Sequence, residues 1–132
     1  MMNALWLFIG GGLGTLARWG LSGFVARNWG ETFPLGTLVI NVTGSFVIGF
    51  FAGLTGPDGR WFASPAFRQF FMLGVCGGYT TFSSFSLQTL TLAQGNQWLR
   101  AGANIVLSVV LCLAAVWLGN ALAFHLNSTK GN

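Results

Sequence analysis

Glycine and hydroxyl residues crowd the middle of the apolar stretch at 66–93. The thirteen positions from Gly74 to Ser86 hold three glycines and five serines or threonines. Glycine lowers helix stability by about 1 kcal/mol relative to alanine, and serine and threonine bond to nearby backbone groups instead of continuing a helix. The segment therefore predicts a membrane helix that breaks near Gly77 and Gly78.

A break at membrane depth has a chemical consequence, because irregular backbone is tolerated there only inside protein or beside a water-filled cavity. Broken helices in transporters and channels present free carbonyl groups and helix ends to ions. One interpretation of the segment is therefore an ion site. The other is a close-packed contact, since glycine and serine allow helices to approach each other.

Composition places the chain in a membrane. Of its 132 residues, 53% are hydrophobic and only 6% are charged, which excludes an ordinary soluble domain. A spanning helix needs about 20 apolar residues, and four segments reach that length. We predict an all-α integral membrane protein with a single four-helix transmembrane domain over 1–132, its third helix broken in the middle. The helices are expected at about 4–26, 35–54, 66–93 and 99–126.

Two strongly polar side chains fall inside these apolar segments. Asn41 brings two N–H donors and one carbonyl acceptor into the second helix, which suits either an interhelical hydrogen bond or a pore lining. Arg18 lies in the first helix, where an arginine costs about 2.5–3.5 kcal/mol at the membrane centre and much less near an end. It is interpreted as an interface anchor beside Trp19, as a cation at the mouth of an anion path, or as both.

A polar stripe follows one face of the fourth helix. Asn104, Ser108 and Cys112 are spaced four residues apart, so they share that face. Such a stripe is commonly a packing feature, but this one can face the hydroxyl-rich break of the third helix. Cys76 and Cys112 both lie in apolar segments and are expected to be reduced rather than joined in a disulfide.

Aspartate, glutamate, lysine and histidine are absent from the interior of the apolar segments. The two acidic residues, Glu31 and Asp58, fall in connections, and His125 lies near the end of the last helix. A proton-coupled exchanger normally needs a titratable residue inside the membrane, so passive conduction is favoured over proton-driven transport. The net charge of +4 comes from basic residues scattered singly, which does not indicate nucleic-acid binding.

The basic residues give almost no preference for one orientation in the membrane. The bias of lysine and arginine between the two sides sets orientation, and here the sides are nearly balanced. Arg60, Arg68 and Lys130 lie on one side, against Arg27 and Arg100 on the other, with Arg18 nearby. A chain of this kind can insert both ways, and two opposite copies can pair as an antiparallel dimer. Four spans of this length enclose little space, so a pathway is expected to need two subunits.

The hydroxyl-rich segment also resembles a known signature. Residues 77–86, GGYTTFSSFS, closely match the pattern GG-x-[ST]-T-F-S-[ST]-F-S of the CrcB, or Fluc, fluoride channels. Residues 34–38, PLGTL, with Asn41, and Gly14 with Arg18 and Trp19, are similar to further positions of that family. The resemblance extends over essentially the whole chain, including its length and four spans.

This resemblance implies a dual-topology homodimer with two fluoride pores and a central structural sodium ion that is not transported. By position, the backbone carbonyls of Gly77 and Thr80 from each subunit would hold the sodium. Arg18 corresponds to the family's vestibule arginine. The implied fluoride pore residues are Asn41, Thr81, Phe82, Ser83, Ser84, Phe85, Asn104, Ser108 and Cys112.

The chemistry of fluoride agrees with this set. Fluoride is small, strongly hydrated and a strong hydrogen-bond acceptor, so its dehydration requires donors along the way. Hydroxyl groups and the Asn41 amide supply donors without a fixed charge that would trap the ion. Aromatic ring edges carry partial positive charge, and Phe82 and Phe85, three residues apart, can point their edges to one side.

The chain departs from the family pattern in two places. Gln88 stands where the family motif usually has an acidic residue, so any role of a carboxylate there is lost or altered. Cys112 and Val116 stand where the family's polar track often has serine and threonine. Because a thiol is a weak donor, the polar path is expected to be weaker at this end of the fourth helix.

The expected function is a passive, fluoride-selective channel in the bacterial cytoplasmic (inner) membrane that lowers cytoplasmic fluoride. It is not expected to be an enzyme, and its partners are expected to be a second copy of itself, fluoride and membrane lipid. One alternative is a small four-helix multidrug exporter of dual topology, a class that uses a membrane-embedded glutamate. Another is a structural subunit of a larger complex.

Overall fold

The computed structural model describes residues 2–129, and every regular element in this range is a helix. Helix α1 runs over Met2–Trp29, α2 over Leu35–Leu54 and α6 over Trp98–Ser128. Between α2 and α6 lies a third span that is built from several pieces. The predicted all-α class, with four apolar helices compatible with a membrane, is confirmed. Lys130, used above in the comparison of charges, lies outside the described residues.

The third span changes its helical form along its length. It begins with the short helix α3 (Pro65–Arg68), continues as a π-helix over Gln69–Cys76, and ends its first half with α4 (Gly77–Tyr79). Its second half is α5 (Phe82–Gln94). Proline at the first position of α3 and the Ser64 hydroxyl, which accepts from the Phe67 N–H at 3.2 Å, explain where the span starts.

The break lies at Thr80 and Thr81, so its predicted position near Gly77 and Gly78 is wrong by about three residues. Gly77 has helical angles (φ −65°, ψ −38°), whereas Thr80 and Thr81 have extended backbone, with ψ of 157° and 112°. The two glycines are used for close packing instead. A Cβ atom added to Gly78 would overlap the Gly11 carbonyl of α1.

Two pairs of helices form the body of the chain, and glycine sets how closely each pair approaches. Helices α2 and α6 pack along their length, where a Cβ atom added to Gly49 or Gly119 would overlap the backbone of the facing helix. Helix α1 packs against the first half of the third span in the same way at Gly14. Small residues at such crossings allow the backbone contact on which helix association in membranes depends.

The outer surface is strongly apolar, as a lipid-facing protein requires. Phe8, Trp19 and Leu113 are among many large apolar side chains that are more than half exposed. Helices α2 and α6 are each long and apolar enough to cross a membrane, and α1, with 28 residues, extends for about 42 Å. Exposed apolar surface of this extent marks contact with membrane or with another protein.

Candidate ion pathway at the helix break

The side chain of Asn41 holds the break. Its Oδ1 accepts from the Thr81 backbone N–H at 2.8 Å, and its Nδ2 donates to the Thr81 carbonyl at 2.9 Å. The Asn41 amide therefore pairs with both the backbone N–H and the backbone carbonyl of Thr81. A neighbouring β-strand would pair with the same two groups. Because a backbone group without a partner is costly in a membrane, this pair stabilises extended backbone where a helix would otherwise continue.

Thr81 also begins the second half of the span. Its Oγ1 accepts from the Ser84 N–H at 3.1 Å in an N-cap contact, and Oγ1 donates to the Ser84 hydroxyl at 3.1 Å. Ser83 is exposed, with its hydroxyl 3.3 Å from Thr81 Oγ1. The three predicted hydroxyl residues therefore form one cluster at the start of α5.

These contacts redirect two backbone N–H groups. In a continuous α-helix the N–H of Thr81 would bond to the carbonyl of Gly77, and that of Ser84 to the carbonyl of Thr80, because helical bonds join positions four apart. In this structure they donate to Asn41 Oδ1 and Thr81 Oγ1 instead. The carbonyls of Gly77 and Thr80 thus lose their usual helical donors.

Arg18 contacts the same region from α1. Its Nε donates to the Gly78 carbonyl at 3.1 Å, and the Thr15 hydroxyl lies 3.5 Å from that oxygen. Arg18 is partly buried, and so is this hydrogen bond. A cation near the carbonyl end of a helical segment is electrostatically favourable, so Arg18 stabilises the end of α4. The interface-anchor interpretation alone is therefore insufficient.

Two glycines, one on α1 and one on α2, leave the space that the break region occupies. A Cβ atom added to Gly14 would overlap the Val75 carbonyl and lie 2.8 Å from the Tyr79 nitrogen. One added to Gly44 would overlap the Thr80 methyl group and lie 3.1 Å from the Tyr79 ring. Close approach from both α1 and α2 is possible only because neither position carries a side chain.

A groove of about 420 Å³ opens beside the break, between α2, the third span and α6. We call it the break groove. It brings together eight of the predicted site residues and leaves Arg18, Ser83, Ser84 and Asn104 outside its lining. The eight are Asn41, Gly77, Thr80, Thr81, Phe82, Phe85, Ser108 and Cys112; the rest of its lining is Gly44, Ser45, Ile48, Met72, Cys76, Val109 and Leu113.

Phe82 and Phe85 lie side by side at one end of the lining. Their ring centroids are 5.3 Å apart with an interplanar angle of 51°. The Phe82 ring is 77% exposed on the single chain. Both residues belong to the groove lining, and aromatic ring edges carry partial positive charge.

The polar stripe of α6 is divided between two surroundings. Ser108 and Cys112 line the break groove. Asn104, only 2% exposed, lies further along the helix, where its Nδ2 donates to the Thr89 hydroxyl at 2.9 Å and its Oδ1 accepts from Ser108 at 3.4 Å. Asn104 therefore joins α6 to α5, while its neighbours face the groove.

Several participating residues were missed by the sequence reasoning. Thr89 is the partner of Asn104, and its position four residues after Phe85 is the signal that would have found it. Ser45 lines the groove and donates to the Asn41 carbonyl at 2.7 Å. The Tyr79 hydroxyl lies 2.7 Å from Thr43 Oγ1 and ties the residue before the break to α2.

The two departures from the family pattern have different surroundings. The buried Oε1 of Gln88 has no hydrogen-bond donor among the described residues, and the side chain borders a second cavity of about 380 Å³ beneath the α1–α2 connection. Val116 lies at the α2–α6 contact, against Gly49. The groove lining on α6 includes Cys112 but not Val116. Cys76 and Cys112 are both free thiols.

The acidic residues stay out of the helices. Glu31 and Asp58 are both exposed in the connections that follow α1 and α2. Among the described residues, no three histidine, cysteine or acidic side chains are grouped as a metal centre would require. The single glutamate, Glu31, lies in a connection, so the embedded glutamate of a multidrug exporter has no counterpart here.

The fold and the site define a helical membrane protein whose third span is interrupted beside a groove lined by uncharged donors. The family model "CrcB-like protein, Camphor Resistance (CrcB)" matches residues 5–120, and the chain belongs to this family. A protein of Rhodospirillum rubrum named "Fluoride-specific ion channel FluC" is 63% identical over 126 residues, which is 96% of this chain and 98% of the relative. A protein of Opitutus terrae with the same name is 59% identical over 128 residues, 97% of both chains. Family membership supports the expectation that the chain is not an enzyme.

Proposed function

We propose that this chain is a fluoride-selective channel, as its named relatives are, and that it lets fluoride leave the cytoplasm passively. The observation that carries the proposal is the break groove, in which the Asn41 amide, Thr81 and Ser108 lie beside the rings of Phe82 and Phe85. The Asn41 amide has a second N–H for a dehydrated anion, and the hydroxyls of Thr81 and Ser108 would turn to it from Ser84 and Asn104, without a fixed charge that would trap it. Membership in the family connects this lining with fluoride.

Passive conduction is sufficient for export. Fluoride enters an acidified cell as neutral HF and dissociates in the cytoplasm, and the negative interior drives the free anion out. The acidic residues of the chain are confined to connections, which supports conduction rather than proton-coupled exchange. A bacterial cytoplasmic membrane, which separates acidic surroundings from the cytoplasm, is the proposed location.

The proposed working unit is an antiparallel homodimer. The near balance of basic residues on the two sides favours insertion in both orientations. The break groove and Gly77 are open on the surface of one chain, where a second copy can complete a pathway. Attaching an impermeant maleimide to Asp58→Cys, in the exposed connection after α2, tests this: labelling from both sides of sealed vesicles is expected, and labelling from one side would contradict dual topology.

The proposed sodium ion would lie where the two copies meet at the break. The carbonyl oxygens of Gly77 and Thr80, whose usual helical donors are directed elsewhere, would provide two ligands from each copy. Uncharged oxygens of this type suit a hard cation. Bound there, sodium would hold the two breaks together as a structural ion. Replacing sodium by N-methylglucamine is expected to lower the melting temperature of the purified protein, and an unchanged value would contradict the site.

Fluoride efflux from proteoliposomes tests the function itself. Vesicles loaded with potassium fluoride should release fluoride when valinomycin makes the membrane permeable to potassium, and vesicles loaded with chloride should retain it. Vesicles without protein are the control. Equal release of both halides, or no release of fluoride, would contradict a fluoride-selective channel.

A further inference from the structure

Three sulfur-containing side chains line the break groove. Met72 and Cys76 come from the π-helical part of the third span, four residues apart, and Cys112 comes from α6. Both cysteines are free thiols. The fluoride path uses Cys112 only as a weak donor, and neither that path nor the proposed sodium site gives the sulfur atoms of Met72 and Cys76 a role.

The ligand types in the groove lining favour one class of cation. The groove lining contains no carboxylate, and hard divalent cations are held mainly by carboxylate oxygens together with carbonyls and waters. Thiolate and thioether groups are soft ligands that favour soft cations such as Cu⁺ and Ag⁺. Apart from the Gly77 and Thr80 carbonyls proposed for sodium, the groove therefore offers sulfur ligands of the kind that a soft cation prefers.

The groove also gives such an ion a route and enough space. Cys112 is partly exposed at the groove surface, whereas Cys76 is only 3% exposed and lies deeper. A volume of about 420 Å³ far exceeds the roughly 30 Å³ that one water molecule occupies. A small cation can therefore reach the outer thiol first and the inner thiol next.

We propose that the break groove binds one soft monovalent cation per chain, with the thiolates of Cys76 and Cys112 as ligands and the Met72 thioether as a third. On binding, each thiol releases its proton to solvent and forms a sulfur–metal bond, so no oxidant or reductant is needed. Because Asn41, Phe82 and Phe85 line the same groove, the bound ion obstructs the path. The obstruction rests on the proposed channel function, whereas the binding does not.

Silver ion is the probe, in chloride-free buffer. We expect wild-type protein to retain one silver ion per chain after desalting, measured by mass spectrometry of the metal, and fluoride efflux to fall at least tenfold at that occupancy. Cys112→Ser and Cys76→Ala are each expected to bind silver at least tenfold more weakly. Met72→Leu is expected to weaken binding less, and Met2→Leu, a matched change on the exposed start of α1, is expected to behave as wild type.

Each contrary result is distinguishable. Two silver ions per chain, with one retained in each single-cysteine variant, would show independent thiols and overturn the shared site. Full occupancy without loss of efflux would overturn the obstruction. If wild-type protein conducts no fluoride before silver is added, the proposed channel function fails, while silver stoichiometry still decides whether the sulfur site exists.

Discussion

The amide of Asn41 and the backbone of Thr81, forty residues apart in sequence, form two hydrogen bonds to each other, at 2.8 and 2.9 Å. The pair fixes which way the amide faces. The Nδ2 group carries two N–H donors and gives one to the Thr81 carbonyl, so one N–H remains for another acceptor. A side chain that stabilises the break thus keeps a donor beside the groove that it lines.

Asn41→Asp replaces that donor with an acceptor. A carboxylate would face the Thr81 carbonyl and leave it unpaired, and an unsatisfied buried polar group costs about 1–3 kcal/mol. We expect a lower melting temperature and at least a tenfold slower fluoride efflux from proteoliposomes. Asn28→Asp is the matched control, because Asn28 is exposed and donates to the Phe24 carbonyl of its own helix. Efflux at the wild-type rate in Asn41→Asp would show that this amide does not control the path.

Gly78→Ala tests the close contact between α1 and the third span. The added methyl group would overlap the Gly11 carbonyl, and overpacking of a tight contact typically costs about 1–3 kcal/mol. Gly102→Ala on α6 meets no atom within 4 Å and should be neutral or stabilising by up to about 1 kcal/mol, since alanine favours helix. Tryptophan fluorescence during heating measures both. Equal melting temperatures for the two variants would contradict the role given to Gly78.

The sequence predicts the existence of the break but not its position. Three glycines and five hydroxyl residues between Gly74 and Ser86 indicate a weak helix, yet Gly77 and Gly78 remain helical because glycine there serves contact with α1. Hydrogen bonds from Asn41, which lies on a different helix, determine which residues are extended. A local sequence pattern in the third span therefore could not locate the break. The π-helix at Gln69–Cys76 likewise has no signal that we recognised in the sequence.

The candidate site was predictable in part, for a similar physical reason. Residues on one helical face, such as Ser108 and Cys112, can be grouped from their spacing, and they do line one groove. The division between those two and Asn104 depends on Thr89 of the neighbouring helix. Contacts between helices, rather than spacing within one helix, decide which polar residues face the groove.

Phe82→Ile tests the aromatic edges. Isoleucine keeps an apolar side chain but removes the ring, whose centroid lies 5.3 Å from that of Phe85. We expect fluoride efflux to fall at least tenfold while the protein elutes in the same position on size exclusion. Phe8→Ile is the control, since Phe8 is 81% exposed on α1, away from the groove. Unchanged efflux in Phe82→Ile would remove the basis for assigning this ring to the path.

Thr89→Val tests the polar connection between α5 and α6. The change keeps the shape of the side chain but removes the hydroxyl to which Asn104 Nδ2 donates at 2.9 Å. Asn104 is only 2% exposed, so its amide would be left without this partner, at a cost of about 1–3 kcal/mol. Thr91→Val is the matched control, because Thr91 is exposed and its hydroxyl donates to the Leu87 carbonyl within its own helix. The melting temperature should fall in Thr89→Val and change little in Thr91→Val. With Asn104→Leu alone as the fourth protein of the cycle, the double variant Thr89→Val with Asn104→Leu should lose less stability than the sum of the two single losses, and additive losses would mean that the two side chains are not energetically coupled.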